Sequence, residues 1–318
     1  MRALVTGGAG FIGSNLAEEL LARGHEVKLL DNFSTGHRAN IAAFADDVEL
    51  IEGELRSYER VSNAVKGCEL VFHQGALPSV PRSVQDPITS SEVNVGGTLN
   101  VLLAARDAGV RRVVFASSSS IYGDVPGMPR VETLPVGPAA PYAVSKLAAE
   151  QYCLVATKVY GLETVALRYF NVFGRRQDPD SHYSAVIPKF IAGMLKGRAP
   201  TIFGDGEQSR DFTHISNVIE ANLLASEAPG APGQAFNVGS GQPHTLNELV
   251  ETLNRLVGTD LAPSYTDLRA GDVKHSWADV SHAAEVMGYR PQVGFEEGLT
   301  LTIESYVESE AGPAPTDG

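Results

Sequence analysis

Arg2-Ala-Leu-Val-Thr-Gly-Gly-Ala-Gly-Phe-Ile-Gly13 decides the fold. A short apolar run passes straight into glycines at 7, 8, 10 and 13, and the residues after them follow a helical period. The spacing satisfies both G-x-G-x-x-G and G-x-x-G-x-x-G at the start of a strand-helix-strand unit, the setting in which such glycines bind a dinucleotide. Gly7, Gly10 and Gly13 allow a tight turn and close approach of backbone to a pyrophosphate. Phe11 and Ile12, in the first helical turn, offer N–H donors at the positive end of the helix dipole. The second strand runs into Asp31, placed to accept the adenosine ribose hydroxyls. Its carboxylate repels a 2′-phosphate, which favours NAD over NADP. Arg38, just past the turn, is the group that would reach such a phosphate.

From residue 2 to about 170 the alternation continues. Strands are expected at 2–6, 26–30, 48–51, 70–73, 112–116 and 163–167, with helices near 11–23, 37–44, 58–66, 87–109 and 141–160. Strand-helix alternation at this spacing predicts an α/β fold built on a doubly wound parallel Rossmann sheet. Beyond 170 the pattern becomes irregular, with helices near 184–196, 215–228, 244–257 and 297–309. It reads as a smaller C-terminal α/β substrate region over 171–309 packed on a dinucleotide domain over 1–170. The last residues, 310–318, carry no apolar pattern and are expected to be disordered.

Composition narrows the function. A chain of 318 residues, 43% hydrophobic, can bury a large core. A net charge of −13 leaves no basic patch for nucleic acid or anionic membrane, so an anionic substrate needs local arginines. Cys68 and Cys153 lie far apart in apolar stretches without metal spacing, and read as buried free thiols. The chain opens directly on a strand, and no run of eighteen apolar residues occurs, so a cytoplasmic protein is expected.

Chemistry is concentrated in Pro141-Tyr-Ala-Val-Ser-Lys146. Pro141 suits a first helical position, and Tyr142 and Lys146 then share one face a turn apart. A cation beside a phenol favours the phenolate, which makes Tyr142 a candidate acid/base with Lys146 as its tuner. The fifth strand ends in Ala116-Ser-Ser-Ser-Ser-Ile-Tyr-Gly-Asp124, placing serine hydroxyls over the crevice where ligands bind in open α/β sheets. His73, at the end of the fourth strand, is either a crevice residue or a satisfied core histidine.

Together these motifs resemble the extended short-chain dehydrogenase/reductases over residues 1 to about 309. Leu167-Arg-Tyr-Phe-Asn-Val-Phe-Gly174, Gly204-Asp-Gly-Glu-Gln-Ser-Arg-Asp-Phe212, Phe236-Asn-Val-Gly-Ser-Gly241 and Arg269-Ala-Gly-Asp272 resemble the nucleotide-sugar branch, in particular the UDP-hexose 4-epimerases. The resemblance implies NAD held by Gly7, Gly10, Phe11, Ile12, Gly13, Asp31, Asn32, Ser34, Thr35, Gly36, Gln74, Ala76, Asn94, Tyr142 and Lys146. It implies Tyr142 exchanging the proton of the sugar 4-hydroxyl, Lys146 on the nicotinamide ribose and Ser118 on the 4-oxygen. The UDP-sugar partner would meet Ser79, Ser119, Ser120 and Tyr169, with Asn171, Arg210 and Arg269 on the diphosphate and Asp272 on the uridine ribose. It also implies a homodimer built on helices 87–109 and 141–160, although Leu99, Val101, Leu102, Leu147, Tyr152 and Val155 would serve equally as intrachain core.

Related reactions are separated by residue chemistry. 4,6-Dehydratases resemble one another in carrying Asp-Glu directly after the strand-end hydroxyl residue, and uronate decarboxylases carry glutamate at the second of these positions. Here Ser119 and Ser120 stand there, with no proton to exchange near neutral pH. The resemblance places Ser276 at the position, seven residues beyond Arg269, where a large residue in the family closes the pocket over the sugar 2-position. The stretches 171–179 and 185–189 most resemble bacterial UDP-N-acetylglucosamine 4-epimerases. A UDP-glucuronate 4-epimerase using Arg82, Arg175 or Arg176 on a carboxylate is the alternative, and a non-catalytic protein that binds NAD or a nucleotide sugar is the alternative of another class.

Overall fold

The computed structural model describes residues 1–180, 185–267 and 273–311. The first half alternates as expected: β1 (Arg2–Thr6), α1 (Phe11–Ala22), β2 (Glu26–Asp31), β3 (Val48–Glu52), α2 (Tyr58–Val65), β4 (Leu70–His73), α3 (Val80–Gln85), α4 (Pro87–Ser91), α5 (Gly97–Asp107), β5 (Arg112–Ser118), α6 (Pro141–Tyr160) and β6 (Glu163–Tyr169). The second half supplies β7 (Asn171–Phe173), α7 (Val186–Leu195), β8 (Thr201–Phe203), β9 (Ser209–His214), α8 (Ile215–Glu227), β10 (Gln234–Val238), β11 (Pro243–Thr245), α9 (Leu246–Val257), β12 (Ser264–Thr266), β13 (His275–Ser276), α10 (Ser281–Met287) and α11 (Phe295–Ala311).

The main sheet has seven parallel strands in the order β10-β6-β5-β4-β1-β2-β3. Strand order reverses between β1 and β4, which opens a crevice at their carboxyl ends. Strand side chains alternate between two cores. Ala3 and Val5 face the cluster containing α1 and α8, while Leu4 faces the one containing α2, α5 and α6. Burial on both faces explains why these strands read as continuous apolar runs.

Three differences from the sequence reading have physical causes. The helix expected at 37–44 is a 3-10 segment, Arg38–Asp47, with Phe44 in non-helical backbone. The helix expected at 87–109 is interrupted by a π-turn, Glu92–Gly96, and is preceded by the short α3, whose six residues fall below the length at which period is readable. β10 crosses the expected boundary at 170 to pair with β6, so the C-terminal region completes the main sheet. The remaining strands form a small sheet around β9, with β11 antiparallel and β7 and β13 parallel to it, plus the pair β8–β12.

Apolar positions that served two readings now separate. Val101 and Leu102 are core, as are Cys68 and Cys153, whereas Tyr152 and Val155 remain 45% and 48% exposed on α6. Burial pushes the Cys68 thiol up to about 11 and Cys153 further upward, which makes both inert near neutrality. The tail expected to be disordered from 310 is helical as far as Ala311, and the rest of it lies outside the described residues. No helix among the described residues is long and apolar enough to cross a membrane.

One carboxylate joins the layers. Glu150, on the same face of α6 as Tyr142 and Lys146 and fully buried, accepts from Ser117 Oγ at 2.6 Å and from Arg168 Nε and Nη2 at 3.0 and 2.7 Å. Arg168 continues to the Tyr122 hydroxyl at 2.8 Å, which donates to Asn237 Oδ1 on β10 at 2.7 Å. Removing one member of a buried pair strands the other, so Glu150→Ala is expected to cost about 3–5 kcal/mol. Glu26→Ala, which breaks the solvent-exposed Arg2–Glu26 pair, is expected to leave stability almost unchanged. Urea unfolding of both variants checks the contrast.

Candidate active site

The crevice is built at the turn between β1 and α1. A Cβ on Gly13 would overlap the Gly7 carbonyl oxygen, so the turn closes only on glycine there. A Cβ on Gly10 would meet within 4 Å only that same oxygen, at 3.1 Å. Gly10 is the N-cap of α1 and carries no side-chain cap, and the first turn holds no acid. The helix end is therefore left to an anion. Asp31 is buried at the end of β2 and organises the neighbourhood. Its Oδ2 accepts from the Ala9 N–H at 2.9 Å and its Oδ1 from the Phe33 N–H at 2.8 Å. The loop carrying Asn32, Ser34, Thr35 and Gly36 is drawn over the glycine turn by His37 N–H and Asn40 Nδ2, which donate to the Ala9 carbonyl at 3.0 and 2.9 Å. Arg38 lies over the Phe33 ring and pairs with Glu52 at 2.6 Å, so it already has partners other than a 2′-phosphate. These residues fit NAD.

On the other side of the crevice, α6 starts at Pro141 and ends on Gly161 in left-handed backbone, as the sequence requires. Tyr142 is half-buried, and its hydroxyl feels Ser118, at the end of β5. The serine strand thereby meets the tyrosine helix. Lys146 is buried beneath, donating to the Ala116 carbonyl at 2.8 Å, with its ammonium 5.1 Å from the centroid of the Phe115 ring. Burial and Ser118, rather than the expected ammonium, set the pKa of the phenol. Burial pushes Tyr142 up to about 12 against the lowering effect of Ser118, and burial pushes Lys146 down to about 8.

His73 is the satisfied core histidine of the two readings. Its ring nitrogens bond Thr6 Oγ1 at 2.7 Å and Thr98 Oγ1 at 2.9 Å, and burial lowers its pKa to about 3, so it stays neutral. Asn94 reaches inward from the π-turn. It accepts from the Leu77 N–H at 2.8 Å and donates to Ser145 Oγ at 3.0 Å, bracing the strand-end loop that contains Ala76. The Tyr169 hydroxyl is engaged with Asn222 and with Gln74, at 3.1 and 3.2 Å. Ser83 was missed in the sequence: fully buried on α3, it accepts from the Tyr142 N–H at 2.9 Å. A serine in a six-residue helix carries no local signal of such a bond.

Substrate-side candidates converge on β9. Ser276 lies opposite Arg210 across the β13 pairing, and Asn171 lies opposite Phe212 across the β7 pairing. Arg210 donates to the carbonyls of Ser209 and Lys274 at 2.9 and 3.2 Å. Next to it, the buried Asp211 accepts from the N–H groups of Ser240, Gly241 and Ala278, which anchors β9. Ser79 caps α3, Ser118 Oγ accepts from the Ser120 N–H at 3.2 Å, Ser119 is half-buried beside them, and the buried Ser120 Oγ has no partner among the described residues. Arg175 and Arg176 both pair with Glu18 on α1. Arg269 and Asp272 lie outside the described residues.

Residues 3–239 match the NAD dependent epimerase/dehydratase family. The chain belongs to that family. A UDP-glucose 4-epimerase of Mycolicibacterium smegmatis is 40% identical over 310 residues, 96% of this chain and 98% of its own. The solved structure of a Thermus thermophilus UDP-glucose 4-epimerase in complex with NAD shares 41% identity at a TM-score of 0.88, covering 96% of this chain and 99% of that one. A UDP-N-acetylglucosamine 4-epimerase from Methanobrevibacter ruminantium, in complex with UDP-N-acetylmuramic acid, shares 38% identity at a TM-score of 0.92, covering 97% and 98%. Membership of an NAD-dependent family agrees with the uncapped α1 terminus and the Asp31 carboxylate.

Lys146 gives this NAD-dependent site a measurable pH signature. Its pKa falls from 10.5 unfolded to about 8 folded, so between those values the unfolded chain binds more protons and stability of the cofactor-free protein rises with pH. Lys146→Met is therefore expected to be more stable than the parent at pH 7, by about 2–3 kcal/mol after allowing for the lost Ala116 bond. The advantage closes between pH 8 and 10.5. Denaturant unfolding of the apoprotein across that range checks both sign and window.

Proposed function

We propose that the protein epimerises a UDP-hexose at carbon 4 through a transient 4-keto sugar, with N-acetylhexosamines among its substrates. The observation that carries the reading is the meeting of Ser118, at the end of β5, with Tyr142 at the start of α6, above buried Lys146 and in one crevice with an uncapped helix terminus. Tyr142 takes the 4-hydroxyl proton and returns it, while Ser118 holds the 4-oxygen. NAD, held at the α1 terminus and the Asp31 loop, would supply hydride exchange at carbon 4, and turning of the keto sugar in the crevice would present its other face for the return. Lys146, buried beneath the phenol and donating to the Ala116 carbonyl, holds the nicotinamide ribose.

The loop after β5 supports epimerisation over elimination or decarboxylation. Ser119 and Ser120 supply hydroxyls where those reactions need an acid and a base, and the orphaned Ser120 Oγ suits a sugar hydroxyl. Arg210 and Asn171 belong to the diphosphate side, together with Arg269, and Asp272 to the uridine ribose. Arg175 and Arg176, occupied by Glu18, weaken the uronate reading. The half-buried Ser276 supports room for an N-acetyl group.

Incubation without added cofactor with UDP-N-acetylglucosamine, UDP-glucose and UDP-glucuronate separately, with products resolved by NMR, tests the assignment. The first two are expected to convert to their 4-epimers. Conversion of UDP-glucuronate alone, or release of water or carbon dioxide, would sink it. Ser276→Tyr is expected to cut UDP-N-acetylglucosamine turnover by roughly 10- to 100-fold while leaving UDP-glucose within about threefold, because the clash is confined to one substituent.

We also propose a homodimer. Val144, Tyr152, Val155 and Val159 leave an apolar stripe exposed along α6, and Val84 and Ile88 are exposed on α3 and α4, which contact α6. Sedimentation equilibrium is expected to give a dimer mass, and Val155→Glu to shift it towards the monomer.

A further inference from the structure

We propose that Ser83 is a positioning residue for Tyr142: from α3 it caps the N-terminus of α6, and so sets where the phenol stands over the crevice. Helix α6 cannot cap itself. Its N-cap is Ala140, which makes no side-chain hydrogen bond, and Pro141 at the next position has no N–H. The first N–H that needs a partner is that of Tyr142. Ser83 Oγ accepts it at 2.9 Å and gives its own proton to the Val80 carbonyl at 2.7 Å, so the hydroxyl is oriented from both sides. Ser83 is fully buried, and bulk water cannot replace it.

The other end of the same residue is held too. Ser145 Oγ donates to the Tyr142 carbonyl at 2.7 Å and accepts from Asn94 Nδ2 at 3.0 Å. The tyrosine backbone is thus tied to α3 on one side and to the π-turn on the other. Ser79, a substrate-side candidate, is the N-cap of α3, so the short helix links the sugar side of the crevice to the acid/base. A tilt of this backbone is magnified at the phenol oxygen, and a misplacement of about 1 Å at a reacting group can cost on the order of 100-fold in rate.

The inference rests on Tyr142 acting as proposed above. Ser83→Ala removes the acceptor, and Ser83→Cys keeps nearly the same volume with only a weak acceptor. With NAD-loaded protein and UDP-glucose, both variants are expected to lose roughly 10- to 100-fold in kcat with KM held within about twofold, since the phenol is misplaced while the diphosphate contacts are untouched. In protein labelled with 15N-tyrosine, the Tyr142 amide is expected to exchange with solvent at least about tenfold faster in both variants. Faster exchange with unchanged kcat would reduce Ser83 to a structural cap and overturn the inference, as would a loss shared equally between kcat and KM. If the unsubstituted protein turns over no UDP-sugar, the proposed function falls and this inference with it. An active parent with unaffected variants overturns this inference alone.

Discussion

Glu150 is the constraint on which the rest of the structure depends. An ionised carboxylate inside a protein survives only if its lone pairs are taken up, and here Ser117 and the Arg168 guanidinium take them. Those partners lie on β5 and β6, so a charge on the tyrosine helix pulls that helix onto the two strands that end at the site. Arg168 then spends its remaining donors on Tyr122 and the Glu132 carbonyl, which binds the turn after β5 into the same network. Asn237 extends it to β10 and, through the carbonyls of Arg130 and Asp279, to the segment leading to α10. Satisfying one buried charge thus aligns the tyrosine helix, the serine strand and the C-terminal region.

Electrostatics in the crevice follows from burial before it follows from charge pairing. Desolvation pushes Tyr142 and Lys146 in opposite directions, each towards its neutral form. The ammonium meets a backbone carbonyl and an aromatic face, while Ser118 is the group that lowers the pKa of the phenol. The uncapped α1 terminus holds no acid in its first turn, so that end of the crevice suits an anion.

Buried hydrogen bonds also explain why several serines differ in role despite sharing a composition. Ser117 is fully committed to Glu150, and Ser118 serves Tyr142 and the turn behind it. Ser120 keeps a buried hydroxyl without a partner. Only alternation along β5 and the entry into a 3-10 turn distinguish them, since successive strand residues face opposite sides of the sheet.

Periodicity and glycine spacing by themselves determined the parallel sheet, the turn after β1, the acid after β2, and the turn of helix that places Tyr142 beside Lys146. These are local features, written within a few residues by backbone sterics and by the 2.0 and 3.6 residue periods. Tertiary structure alone decided that β10 completes the sheet, that Asn94 and Ser83 brace the tyrosine from two other helical segments, and that His73 is a core residue. It also decided that Arg175 and Arg176 turn to Glu18, and that the Lys146 ammonium meets the Ala116 carbonyl. Each of these is a contact between groups far apart in the chain, settled by which buried donor finds which acceptor. No period in the sequence carries that pairing, because the cost of an unsatisfied buried group is felt only once the chain has closed around it.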